Sequence, residues 1–376
     1  MSSMLFSPVS LGGLSLANRI VIPPMCQYSA SNGLASDWHL MHYGALSHSG
    51  AGMLIVEATA VTPEGRISPE DLGLWSDDCE EALARVVSAV RAYSTMPICL
   101  QIAHAGRKAS EYAPWRGEGV IPEERGGWQP EAPSPLAYAR PAGNSRLPKQ
   151  LDEQECARIV EAFATAAIRA ARIGFDAVEL HAAHGYLLHE FLSPLSNNRT
   201  DRYGGSRENR MAFPLKVFEA VRLVFPADKP VGVRISGSDW TPGGWDIEAS
   251  RALARKLQFR GSAYIHVSGG GLSPDQNLRV GPGYQADMAA SIRADLAEFP
   301  EGGNPMPVIA VGLITEPEQA ETLLLSGQAD LVAVGRAMLY DPRWPWHAAA
   351  RLGAAVAAPP QYWRSAPHGV KGLFAK

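Results

Sequence analysis

The sequence predicts an α/β chain of the (β/α)8 TIM-barrel class, with an N-terminal β-hairpin capping the barrel and a long insertion after the third strand. Three observations carry this. Eight short runs are apolar at nearly every position, as strands buried on both faces of a parallel sheet must be. Between them lie segments with helical apolar periodicity, opened by acidic or hydroxyl residues and several closed by glycine. The 376 residues, 46% hydrophobic and 19% charged, supply a large core without a long apolar run. A doubly wound open sheet is the alternative arrangement of the same elements.

In chain order, Leu5–Leu16 holds two short alternating stretches around Gly12 and Gly13 and reads as a hairpin closing the barrel bottom. The predicted strands are Arg19–Ile22, Gly52–Glu57, Ile98–Ile102, Ala177–Leu180, Val231–Ile235, Ala263–Val267, Pro307–Val311 and Leu331–Val334. The predicted helices are Asp78–Tyr93, Asp152–Arg172, Ser206–Phe225, Asp246–Phe259, Gln285–Glu298, Glu316–Leu325 and Trp344–Leu352. Asp152–Arg172 is the clearest, because acidic residues sit at the positive end of its dipole and Gly174 stops it. The stretch 110–150 is rich in Pro and Gly, and a connection that long reads as a lid or wall on the catalytic face. The tail, 357–376, carries Tyr362, Trp363 and Arg364, which pack on this barrel or reach a partner subunit. One barrel domain over 1–376 is expected.

A formal charge of −4 without basic runs argues against nucleic acid or an anionic membrane as the main partner. The N-terminus lacks the charged and apolar regions of a signal peptide, so a cytoplasmic protein is expected. Cys26, Cys79, Cys99 and Cys156 are scattered, which speaks against a zinc site, an iron–sulfur cluster or a disulfide framework.

Barrel sites are built at the carboxyl ends of the strands. Those ends carry Pro23, Pro24, Met25, Cys26 and Tyr28 after strand one, and Ala60 after strand two. Gln101, His104 and Lys108 accompany strand three, and Arg234 lies on strand five. Ser268 with three glycines follows strand six, Gly312 follows strand seven, and Gly335 with Arg336 follows strand eight. Glycines after strands seven and eight suit a phosphate, because bare N–H groups can approach an anion. No GxGxxG opens a helix, so a separate Rossmann unit is not expected. After strand four comes His181-Ala-Ala-His184-Gly-Tyr186. Taken by themselves, these residues could ligate a metal, relay protons, hold an anion or be structural. The metal reading makes a metal-dependent barrel hydrolase the main alternative function, though no nearby Cys or carboxylate completes a ligand set. A Schiff-base lyase on Lys108 is a further alternative.

The stretches NRIVIPPMCQYS (18–29), VEATAVTPEGRIS (56–68), QIAHAGRKA (101–109), HAAHGYLLHEFLSPLSNNRTDRYGGSRENR (181–210), VGRAMLYDP (334–342) and APPQYW (358–363) carry a resemblance. The chain resembles the Old Yellow Enzyme family, in its thermophilic-like, xenobiotic reductase-like subclass of ene-reductases. The resemblance spans nearly the whole chain and implies a barrel with tightly bound FMN. By the same resemblance Pro23, Pro24, Met25, Cys26, Ala60, Gln101, Arg234, Gly312, Gly335 and Arg336 form the FMN shell. His181 and His184 would bind the substrate oxygen, Tyr186 would donate a proton, and Tyr28 would lie over the flavin. The implied reaction is ping-pong reduction of the activated C=C bond of α,β-unsaturated ketones, aldehydes or nitro compounds, with NADPH or NADH as transient reductant. Dienoyl-thioester reductases of the same superfamily carry an iron–sulfur motif and an extra nucleotide domain, and this sequence shows neither. A homo-oligomer, dimer or tetramer, is expected.

Overall fold

The structure, a computed structural model, describes residues 3–117, 119–139, 145–299 and 305–375. Eight parallel strands close a barrel: β1 (Ile20–Ile22), β2 (Met53–Ala60), β3 (Ile98–Ala103), β4 (Ala177–Ala182), β5 (Val231–Ser236), β6 (Tyr264–Ser268), β7 (Val308–Val311) and β8 (Leu331–Ala333). Each strand pairs with the next in sequence, and β8 returns to β1. Around it lie α1 (Asp37–Ser47), α2 (Asp77–Arg91), α3 (Glu153–Ile173), α4 (Leu187–Leu192), α5 (Arg207–Val224), α6 (Ile247–Phe259), α7 (Ala286–Glu298), α8 (Pro317–Leu325), α9 (Arg336–Tyr340) and α10 (Trp344–Leu352). The open-sheet alternative falls, because every barrel strand has two neighbours. No helix among the described residues is long and apolar enough to cross a membrane.

Strand residues alternate between two apolar environments. Val178, Leu180, Val231, Val233, Ile235, Ile265 and Val267 face outward and pack under the helices. Met53, Ile55, Cys99, Ala177, Tyr264, Ile309 and Leu331 face inward with Leu11 and Leu16 of the hairpin. That hairpin, Val9–Leu11 against Leu14–Leu16, plugs the bottom of the lumen as expected. Burying each leucine contributes about 1.5–3 kcal/mol. Gly232 sits beside the Tyr264 ring, whose Cζ would lie 2.2 Å from any Cβ added there, so the tyrosine can fill the lower lumen.

Several boundaries shift, and some matter for the site. β4 runs to Ala182 rather than Leu180, so His181 lies within the strand. β2 extends to Ala60 through an irregularity between Val56 and Thr59. Asp152 caps α3 with a reciprocal Asp152–Glu155 capping box. Sequence periodicity does not predict α1, α4 or α9. Two of them are short, and α1 buries His39, Tyr43, Leu46 and Ser47, a face too polar to read as an apolar stripe.

The insertion is anchored rather than loose. Glu131–Ala132 pairs with Lys149–Gln150. Arg199 Nη1 donates to Pro133 O (2.9 Å) and Leu151 O (2.6 Å). Trp128 Nε1 donates to Glu64 O at 2.9 Å, and the Arg66 guanidinium stacks between Trp75 and Trp128. Positions 118 and 140–144 of the insertion lie outside the described residues. In the tail, Val356–Ala357 pairs with Phe374–Ala375, and Trp363 Nε1 donates to Ala358 O at 3.0 Å. This segment borders a cleft of about 680 Å³ with residues that precede β2 and β3. The tail therefore packs at the amino-terminal ends of the strands, away from its own barrel mouth.

Candidate active site

The barrel mouth is assembled from alternating strand residues. On β4 the inward positions are Ala177, Glu179 and His181, two residues apart. Register places His181 beside Arg234 of β5, Arg234 beside His266 of β6, and Gln101 of β3 beside Glu179. Gln101 Nε2 donates to Glu179 Oε1 at 2.8 Å, and His266 Nδ1 lies 3.0 Å from Glu179 Oε2. This buried polar floor spans the lumen above Tyr264. Arg234 is only 8% exposed, and its Nε has no hydrogen-bond partner among the described residues. Burial lowers the guanidinium pKa, and the Glu179 carboxylate is the foremost opposing influence. A desolvated guanidinium with an open donor is costly unless an acceptor arrives.

Beyond β4 the chain turns sharply. His184 takes a φ of +60° and Gly185 a φ of +74°. A Cβ on Gly185 would lie 2.3 Å from Gly271 O, so only glycine fits. The turn is pinned from three sides. His184 N donates to Ser236 Oγ (2.9 Å), Lys108 Nζ donates to His184 O (2.9 Å) and Gly271 O (3.1 Å), and Gly185 N donates to His189 Nδ1 (2.9 Å). His189 Nε2 lies 2.9 Å from Asp239 Oδ1, which fixes that ring. Lys108 is thus bound to backbone carbonyls and stacked 5.1 Å from the Tyr186 ring centre. This occupies the ammonium that a Schiff-base lyase would use.

The pinned turn brings His181, His184 and Tyr186 together. The imidazoles meet edge to face with centres 5.1 Å apart, and Tyr186 packs on His181 at 4.8 Å. Ala183 N donates to His181 Nδ1 at 3.2 Å, which leaves the proton of the neutral ring on Nε2. His181 Nε2 lies 3.3 Å from His184 Nδ1, and His184 Nε2 lies 2.8 Å from Ser268 Oγ. Burial, with Arg234 nearby, holds both imidazole pKa values well below the usual range. Both rings are therefore neutral at pH 7. Burial pushes the Tyr186 phenol up, so it keeps its proton.

The loop after β1 forms an adjoining wall. Cys26, Tyr28, Trp128 and Tyr186 pack on one apolar patch with Ile67, Ala105 and Ala109. Tyr28 has a φ of +48° and meets Trp115 of the insertion edge-on at 5.6 Å. Beneath the loop, Glu57 accepts from Gln27 N (2.8 Å) and the Tyr43 hydroxyl (2.7 Å). Burial raises the Glu57 pKa to about 8 and pushes the Cys26 thiol up, so Cys26 is a neutral thiol. Ala60 is buried at the end of β2 and Gly312 at the end of β7. A Cβ on Gly335 would lie 3.5 Å from Pro23 Cγ and 3.7 Å from Met25 Sδ, so the ends of β8 and β1 adjoin. Arg336 opens α9 and is exposed. Pro24 lies in the same β1 loop, between Pro23 and Met25.

Sequence reasoning leaves Glu179, His266 and Ser268 without roles. Period-two alternation contained the signal for two of them. Glu179 stands two residues before His181, and His266 two before Ser268, so each pair shares a face. Lys108 Nζ binds the carbonyls of the β4 and β6 turns.

A buried guanidinium whose Nε has no partner among the described residues, adjoining glycine-bearing strand ends and a wall of apolar rings suit a flat cofactor that carries a phosphate. Comparison with known proteins makes this chain an NAD(P)H-dependent oxidoreductase that uses FMN. The chain belongs to the NADH:flavin oxidoreductase / NADH oxidase family, which it matches over residues 4–354, and within it to the Old Yellow Enzyme type. It is 43% identical to an NADPH dehydrogenase of Geobacillus thermodenitrificans over 366 residues, covering 97% of this chain and 99% of that protein. It is 40% identical to an NADPH dehydrogenase of Bacillus subtilis, again over 97% of this chain and 99% of the other. Among solved structures, morphinone reductase superposes with a TM-score of 0.74 at 30% identity, over 100% of this chain and 97% of that one. A complex of morphinone reductase with tetrahydroNAD gives 0.72 at 32% identity, over 99% and 98%. Among the described residues no group of three His, Cys, Asp or Glu side chains could hold a metal ion. With the family shown, the hydrolase reading is set aside.

Proposed function

We propose that this enzyme is an ene-reductase, reducing the activated C=C bond of α,β-unsaturated ketones, aldehydes or nitro compounds in a ping-pong cycle with NADPH or NADH. One observation carries the reading: two neutral imidazoles converge, His181 Nε2 and His184 Nδ1 being 3.3 Å apart, beside the protonated phenol of Tyr186. When bound and reduced by the nicotinamide, FMN would provide the hydride-donor chemistry for the β-carbon. Pro23, Pro24, Met25, Cys26, Ala60, Gln101, Arg234, Gly312, Gly335 and Arg336 would hold the cofactor. Arg234 and Gln101 would serve its pyrimidine edge, and Gly312, Gly335 and Arg336 would serve its phosphate. Arg234 offers fixed positive charge where reduction adds negative charge.

His181 and His184 hold the carbonyl or nitro oxygen. As the β-carbon gains hydride, charge gathers on that oxygen, and N–H bonds to it strengthen more than they did to the ground-state carbonyl. Neutral donors suit this task because they add no cation that would bind every anion tightly. Tyr186 then gives its O–H proton to the α-carbon; the O–H bond breaks, a C–H bond forms, and solvent restores the phenol. Tyr28 and Tyr186 close the substrate between apolar walls. The morphinone reductase likeness supports a reductase of this kind. We also read 1–376 as one barrel domain whose insertion walls the mouth. A dimer or tetramer is supported by the exposed aromatic side chains Tyr340, Tyr362 and Trp363, and light scattering would measure it.

Anaerobic bleaching of the FMN-loaded enzyme with one equivalent of NADPH, followed by 2-cyclohexenone, tests the activity. Return of the oxidised spectrum with one cyclohexanone per flavin is expected. Bleached enzyme that cyclohexenone leaves reduced would refute ene-reduction.

A further inference from the structure

We propose that Ser268 is a positioning residue that sets the tautomer of His184. Its hydroxyl donates to His184 Nε2, leaving an N–H at Nδ1 beside the Nε2–H of His181. The inference rests on the reading that these two imidazoles hold the substrate oxygen.

A proton inventory of the pocket leads to it. The two rings are backed by different chemistry. Behind His181 stands a backbone N–H, that of Ala183, 3.2 Å from Nδ1. A backbone amide can only donate, so His181 is locked with its proton on Nε2. Behind His184 stands the hydroxyl of Ser268, 2.8 Å from Nε2. A hydroxyl has one proton and two lone pairs and turns about its Cβ–Oγ bond, so it can either give or take. Between the rings is a single N···N gap of 3.3 Å. That gap can be bridged by one proton, with His184 accepting at Nδ1 and Ser268 accepting at Oγ.

An oxygen seated against both rings changes the count, because it needs two N–H donors. His181 has its donor already. His184 provides the second only in the Nδ1–H form, and its buried Nε2 then requires a donor of its own. Leaving it bare would cost about 1–3 kcal/mol. Ser268 can meet that need. A carbonyl or carboxylate in its place would hold the proton on Nε2 and leave the pocket with one donor.

The surroundings keep the rings in place while protons redistribute. His184 N is held by Ser236 Oγ at 2.9 Å, and the Ser236 hydroxyl itself donates to Gly270 O at 2.9 Å. Lys108 Nζ grips His184 O and Gly271 O. The Gln285 amide, turned so that both ends are satisfied, donates to Val311 O (2.9 Å) and accepts from Gly269 N (3.1 Å) and the Tyr284 hydroxyl (3.2 Å). The same accepting end of the amide lies 3.5 Å from Ser268 Oγ, against 2.8 Å for His184 Nε2, so His184 is the nearer partner of the hydroxyl.

The test uses FMN-loaded, 15N-histidine-labelled enzyme with phenol as the probe. In the wild-type phenol complex the His184 signals should show a bare Nε2 and a protonated Nδ1. Ser268→Ala should return the proton to Nε2 and raise the phenol Kd about tenfold, the scale of one hydrogen bond to a charged oxygen. Ser268→Thr, which keeps the hydroxyl, should restore both. Equal tautomers and equal phenol Kd in wild type and Ser268→Ala would overturn the proposal. A separate arm tests its foundation: His181→Ala with His184→Ala must weaken phenol binding. If that double variant binds phenol normally, the oxygen-holding reading fails; if it binds weakly while Ser268→Ala is silent, only the tautomer proposal fails.

Discussion

Glu179→Gln tests the buried floor of the barrel directly. Glu179 and Arg234 are both enclosed, and no other carboxylate opposes the Arg234 charge as strongly. With a strand rise of about 3.3 Å per residue, Glu179 lies about 6.6 Å below the level of His181 and Arg234. A cofactor resting on Arg234 is then about 10 Å from the carboxylate. At an effective dielectric constant of about 20, one charge at about 10 Å is worth about 1.7 kcal/mol. For a two-electron couple about 1.4 kcal/mol corresponds to about 30 mV. Removing the carboxylate leaves the Arg234 charge less compensated, which favours the reduced, more negative cofactor. The midpoint potential should therefore rise by about 35 mV, read by anaerobic titration against a reference dye. Glutamine retains an oxygen for one of the two bonds to Gln101 and His266, so FMN should stay bound. A potential that is unchanged or lower, with FMN retained, would refute the placement of Glu179 as the counter-charge of Arg234.

Four further outcomes are expected. His184→Ala should weaken phenol binding to the oxidised enzyme about 10- to 100-fold, the worth of a hydrogen bond to a charged oxygen; unchanged spectral titration would count against the oxygen site. Cys26→Ser should move the flavin potential while FMN remains bound, and an unmoved potential would return Cys26 to a packing role. Leu11→Ala opens a void in the barrel plug and should cost about 2–5 kcal/mol in denaturant unfolding; a loss under 1 kcal/mol would mean the hairpin does not seal the lumen. For pH, burial raises Glu57 and Glu190 to about 8 and Asp71 to about 7, so the folded state holds protons that the unfolded chain releases near pH 4–5. Their stabilising contribution is complete below that range and is lost as pH rises towards 8. His39 and His42, lowered to about 4, act oppositely, but only below about pH 6.5. The melting temperature should hence fall from pH 6.5 to 8, and fall less in Glu57→Gln; equal slopes would exclude Glu57 as a source.

Much of the fold was legible because barrel strands are buried on both sides and must be apolar in blocks. Asp152, Ser206 and Asp246 marked helix starts through their side chains, and each does accept from a backbone N–H three residues on. Helix α1 escaped because it buries His39 and Tyr43 against Glu57, a polar face that no hydrophobic period reveals. The site was legible in part. His181, His184 and Tyr186 stood out as reactive residues in one short stretch, yet their spacing did not choose between metal, relay and anion. The wall of Tyr28, Cys26 and Trp128 joins segments far apart in sequence and could not be seen as one surface.

The sequence by itself determined the barrel, its plug and the residues gathered at its mouth, because strand burial, caps and turn glycines act over a few neighbouring positions. Only the tertiary structure decided which way Glu179 points, that Arg234 Nε lacks a partner among the described residues, and which group stands behind each imidazole. Those are matters of register around a closed sheet. A shift of one residue on β4 would turn Glu179 and His181 out of the lumen, and only the closed structure sets that register.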